Sequence, residues 1–135
     1  MAMKITEYGS FLIENSSVPH PDLIENVAVQ DAKTLAQQTG MGSNQLLRYY
    51  YEVKSLQKLL RINHDFVAIV PKLLMLKAKV AFASSKKSSA GGLPPEFCEF
   101  IDHCVSISKQ GADEFNAFCL FFESVLGFFY GWGGN

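Results

Sequence analysis

An almost unbroken helical periodicity runs from Asp22 to Tyr130, and nothing else in this sequence restricts the fold as strongly. Apolar residues recur three or four positions apart along most of that length, and no useful stretch alternates as a half-buried strand does. The reading is therefore all-α: one small helical bundle of about five helices, forming a single domain over 1–135. Its first 20 residues are expected to be a flexible N-terminus. At 135 residues and 48% apolar, the chain has the length and the hydrophobic content for one real core.

The helices can be placed from caps and breakers. His20-Pro21-Asp22 introduces the first, over about 22–38, with Asp22 as its cap and Ile24, Val27, Ala28 and Leu35 as its apolar stripe. Gly40 and Gly42 end it. Ser43 opens a second helix to about Asn63, striped by Leu46, Tyr49, Tyr50, Val53, Leu56 and Leu60. A third covers about 66–84, where Pro71 either begins the regular part or kinks it. The run SSKKSSAGGLPP, 84–95, is a loop by composition. A fourth helix spans about 95–109 and a fifth about 113–130. Eight of the eleven phenylalanines lie between Phe97 and Phe129, and those of the fifth helix surround it instead of lining one face. Such a helix must be covered on most sides, as the centre of a bundle or beneath another chain. Glu123 and Ser124 sit in the middle of its apolar stretch, so it reads as a buried helix, not a membrane span. The polar opening residues argue against a signal peptide. Three cysteines without a CxxC pair suit reduced thiols in a cytoplasmic protein.

Charge is segregated. Between Ser43 and Lys87 nine bases face only Glu52 and Asp65, a net of +7, although the whole chain carries −1. A basic helical hairpin thus lies between acidic flanks, and a polyanion would be held there through many modest, salt-sensitive contacts. Arg48, Lys54, Lys58 and Arg61 fall outside the apolar arc of the second helix, with Tyr51 and Ser55 among them. Lys72, Lys79 and Lys86 repeat every seven residues and share a face of the third. These seven are the candidate RNA-binding residues, and packed side by side the two rows could form one band. Lys77 points toward the apolar side, to snorkel or to meet a carboxylate such as Glu123.

No nucleophile motif, phosphate loop, dinucleotide fingerprint or zinc-protease motif occurs, and no catalytic residue, cofactor or metal is assigned. Glu99 and His103 share a helix face, but a di-metal bundle needs matching elements on facing helices, and neither His20 nor His64 sits in one. His64-Asp65 reads as a helix boundary.

Three blocks carry a resemblance. Ser43-Asn44-Gln45-Leu46-Leu47-Arg48-Tyr49-Tyr50-Tyr51-Glu52-Val53-Lys54 resembles the opening of the main helix in the small, belly subunit of type III-A CRISPR effector complexes, the Csm type. Leu74 to Ala83 is similar to that family's second block, and Phe118 to Tyr130, FCLFFESVLGFFY, to its closing helix. In order and spacing they cover about 40–130. Leu47 stands where the family usually has Arg, with Arg48 following; Phe82 replaces a common Tyr and Gly127 a common Ala. The resemblance implies a non-catalytic helical subunit of an antiviral RNA-guided ribonucleoprotein. It also implies contact with the backbone of guide RNA and target RNA, neighbouring subunits as partners, several copies with self-association as a dimer or more, and no membrane. Two other readings stay open: the small subunit of the related Cmr-type complexes, and a helical adaptor that binds only proteins.

Overall fold

The computed structural model describes residues 3–85 and 92–132. It is helical almost throughout, as the periodicity requires, and contains no strand among the described residues. A 3₁₀ turn, Lys4–Glu7, precedes a first helical element whose regular core is α1, Ala28–Lys33. A π turn, Leu23–Val27, leads into α1, and a second, Thr34–Gln38, leads out. Then come α2, Ser43–Asn63; α3, Phe66–Ser84; α4, Pro95–Ser108; and α5, Ala112–Gly131.

Local chemistry explains the boundaries. The Gly42 N–H donates to Gln45 Oε1 at 3.0 Å, satisfying a donor at the start of α2. At the other end His64 takes a left-handed conformation with φ 54° and its N–H donates to the Leu60 carbonyl, so α2 stops and α3 folds back. The helix boundary read at His64-Asp65 is real. Pro71 lies inside α3, which runs continuously through it. The missing N–H costs α3 one bond to the Val67 carbonyl, on its exposed side. Asp22 does not cap the first helix: its backbone is already helical and its carboxylate accepts from Asn26 and from the Tyr8 hydroxyl.

The core forms around α5. This helix packs on α1, α2 and α4, while α3 covers α2 and α4 from the far side. Phe115, Phe118, Phe121, Phe122, Val125 and Phe129 are buried. The rings of Phe115, Phe118, Phe121 and Phe122 meet those of Phe66, Phe11, Phe100 and Tyr50 at centroid distances of 5.6–6.2 Å, within the range where tilted and edge-on pairs add to burial. The phenylalanine-rich helix is therefore mainly a central helix. One side remains open, where Leu120, Phe128, Tyr130 and Trp132 are exposed.

Of the segment expected to be a flexible N-terminus, 1–20, the described residues from Met3 onward pack onto the bundle, and residues 1–2 lie outside the described residues. Met3, Ile5 and Phe11 are buried, and Phe11 stacks against Phe118 and Phe121 on α5. Three carboxylates fasten the backbone of this segment. Asp31 of α1, itself buried, accepts the N–H groups of Lys4 and Ile5. Glu114 of α5 accepts from the Phe11 N–H at 2.8 Å and from the Ser10 hydroxyl. Glu99 of α4 accepts the Met3 N–H at 3.3 Å. Residues 11–20 turn back through bonds from the Ile13 N–H to the Val18 carbonyl and from the His20 N–H to the Phe11 carbonyl.

Candidate nucleic-acid interface

The α2–α3 hairpin carries the basic residues because its inner positions are apolar and its outer ones are free to be charged. Leu46, Tyr49, Val53 and Leu60 of α2, with Ile69, Leu73, Leu76 and Val80 of α3, are buried. At about 100° per residue, the bases of α2 fall on two different sides of that stripe, and the structure separates them accordingly.

Lys72 and Lys79 of α3 line a groove against α2 together with Glu52, Leu56 and Met75; its volume is about 320 Å³. Lys79 Nζ pairs with Glu52 Oε2 at 3.1 Å across the two helices. Lys72 has no carboxylate within ion-pair distance among the described residues. Arg48, exposed, lies one turn before Glu52 on this side and next to Tyr49, whose phenol burial pushes above its ordinary pKa.

Lys54, Lys58 and Arg61 occupy the other flank, toward α5. Lys54 is tied down: its Nζ donates to Gln57 Oε1 at 3.0 Å and lies 3.9 Å from Glu123 Oε1. Lys58 and Arg61 are exposed and meet no carboxylate among the described residues. The six described candidates thus do not join as one band. Five of the six described ones divide between a groove and an opposite flank, with Arg48 beside the groove; Lys86 lies outside the described residues.

Lys77 points to the α3–α4 contact. It pairs with Asp102 at 3.2 Å and donates to the Ser106 hydroxyl at 3.3 Å. Glu123, its suggested partner, instead lies 3.9 Å from Lys54 Nζ. The residues on the α4 face that had the outline of metal ligands have structural duties: Glu99 receives the Met3 N–H and His103 Nε2 donates to the Tyr8 carbonyl. Burial raises all three thiol pKa values, that of Cys119 to about 12, so none presents a thiolate at neutral pH.

One feature of the site escaped the sequence reading. Gln57 is buried, and its Nε2 donates to Asn116 Oδ1 of α5 at 3.1 Å, which links Lys54, Gln57 and Asn116 in a chain. Its signal was available: Gln57 falls inside the apolar arc of α2, where a polar side chain requires a partner.

A basic, aromatic-bearing helical hairpin without activated nucleophiles suits backbone contact, and sequence comparison decides the family. The Csm2 Type III-A family profile matches residues 19–134. The chain belongs to the Csm2 family. It is accordingly a small subunit of the type III-A CRISPR Csm complex. No curated protein and no solved structure matches it. As a Csm2 protein it belongs to a family of structural small subunits, and its partners are subunits of the Csm complex and RNA. Among its described residues no helix is long and apolar enough to cross a membrane.

Proposed function

We propose that this Csm2 protein lines the guide–target RNA duplex of a cytoplasmic type III-A complex without catalysing any step. The observation that carries the proposal is the α2–α3 groove, where Lys72 and Lys79 stand one heptad apart over an apolar floor of Leu56 and Met75. Two ammonium groups at that spacing on one helix face suit successive contacts to a phosphate backbone. Lysine as a point charge imposes no donor–acceptor code on bases, so sequence choice falls to guide pairing. Arg48 extends the groove side, while Lys58 and Arg61 offer a second run of charge on the opposite flank. Lys86 belongs to the same heptad row as Lys72 and Lys79 in sequence.

Protein contacts use other surfaces. The outward face of α3 presents Val67 at 79% exposure and Leu74 at 42%, with Pro71 and Ala78 between and beyond them. An apolar helix face of this kind is expected to be covered by a neighbouring subunit or a second copy. The high thiol pKa values and the structural roles of His103 and Glu99 favour a scaffold over an enzyme.

The test is charge reversal at Arg48 with Lys79, both on the groove side. RNA affinity is expected to fall by a similar factor for unrelated sequences, and the dependence of log K on log salt to flatten by about one to two units. Because both residues are on the surface, helicity should be unchanged. Parent-like RNA binding by a folded double variant would leave the hairpin a solvated face and the protein a pure protein adaptor.

A further inference from the structure

A second concavity lies away from the groove, where the α2–α3 turn meets the start of α5. Its volume is about 600 Å³, within the range of about 300–1,000 Å³ typical of small-ligand sites. Arg61, His64, Phe66 and Asn116 line it, and Gln57 forms its floor.

The free side-chain groups of this wall are mainly donors. Gln57 uses its oxygen on Lys54 and its nitrogen on Asn116 Oδ1. The Asn116 carbonyl is thereby occupied and its amide turned so that the Nδ2 donors remain without a partner among the described residues. Arg61 adds guanidinium donors that no carboxylate engages among the described residues. His64 is held at the rim by its left-handed backbone, φ 54°. Phe66, whose ring packs 6.2 Å from that of Phe115, supplies a rigid aromatic wall. Free side-chain donors beside an aromatic ring match a ligand with a phosphate, carbonyl acceptors and a flat ring.

We propose that this concavity receives a single unstacked nucleotide of RNA. Its base lies against Phe66 and accepts from Asn116 Nδ2, and its phosphate is held by Arg61 and His64. Stacking on aromatic rings and on guanidinium planes is the usual way proteins hold bases that have left a helix. Lys58, one turn before Arg61 on the same flank, continues the positive charge toward the backbone on either side. The inference rests on the reading that the protein binds RNA, and it assigns to the α5 flank a role separate from the Lys72–Lys79 groove.

The experiment compares two RNA duplexes that differ only in one bulged 2-aminopurine nucleotide, by affinity and by 2-aminopurine fluorescence. The parent protein is expected to bind the bulged duplex on the order of tenfold more tightly, with the fluorescence quenched by stacking. Asn116→Asp keeps the oxygen that Gln57 needs while removing the two donors, so it should abolish the preference and leave the fold intact. Arg61→Gln should reduce the preference as well. Charge reversal at Lys72 with Lys79 should weaken both duplexes alike and leave their ratio unchanged. Equal affinity of the parent for the two duplexes, or a preference that survives Asn116→Asp, overturns the nucleotide site while leaving backbone binding in place. Binding of neither duplex overturns both this site and the proposed function.

Discussion

Asp31 shows how much one side chain decides in this protein. It is 1% exposed, and burial raises its pKa from 3.8 to about 6 despite the two backbone N–H groups that it accepts. The folded state therefore holds this proton more tightly than the unfolded chain does. The corresponding stability is fully present below about pH 4 and is lost as pH rises through about 6. The difference is worth roughly 3 kcal/mol across that window. Denaturant titrations between pH 4 and 7 should show this decline in the parent, and Asp31→Asn should remove most of it. An unchanged slope in Asp31→Asn would mean that another group sets the acid dependence. Asp31 lies on the apolar stripe of the first helix, between Ala28 and Leu35. Together with the widely spaced Met3, Ile5 and Phe11 it was the legible sign that the N-terminal segment is bound. Periodicity could not supply that reading, because the segment forms no regular helix: its backbone donors are satisfied by carboxylates distant in sequence. The pairing of Lys77 with Asp102 was hidden for a related reason, since the neighbour of α3 at that point depends on how α4 is laid down.

At the scale of helices, more was visible. The second and third helices, Ser43–Asn63 and Phe66–Ser84, begin and end where their breakers and apolar stripes place them, and α4 and α5 agree to within about a residue. The crowding of phenylalanine onto α5 marked the central helix, because only a surrounded helix can be apolar on so many sides. Truncating Phe121 or Phe122, both fully buried, should cost about 3–5 kcal/mol of stability by cavity formation. Gly127 offers the opposite test. A methyl group there would meet nothing within 4 Å, and the position is on the exposed face of α5. Gly127→Ala should raise stability by about 0.5–1 kcal/mol through helix propensity, seen as a higher melting temperature by circular dichroism. What the helical wheel could not give was the division of the bases. A wheel places Lys54, Lys58 and Arg61 outside the apolar arc. Only the packed neighbours show that one side of the arc belongs to α3 and the other to α5.

At the scale of the whole molecule, the outer face of α3 carries exposed apolar residues but no base, while Met75 in the groove and Ile62 beside Arg61 mix apolar surface with charge. The bases lie beside the α2–α3 groove and on the α5 flank, while Val67 and Leu74 occupy the outer face of α3. The proposed role needs one surface for the polyanion and another for neighbouring subunits. Sedimentation of the isolated protein should show concentration-dependent self-association, and Val67→Glu with Leu74→Glu should shift it toward monomer without loss of helicity. Self-association unaffected by that pair would move the protein contact to the Leu120–Tyr130 side of α5. The central claim is that this Csm2 subunit touches RNA through its helical hairpin. Ultraviolet crosslinking of the assembled guide–target complex, with the crosslinked peptides mapped by mass spectrometry, tests it most directly. RNA adducts on this chain should be concentrated in peptides of α2 and α3 that contain Arg61, Lys72 or Lys79. Adducts confined to other subunits, with this chain crosslinked only to protein, would contradict it.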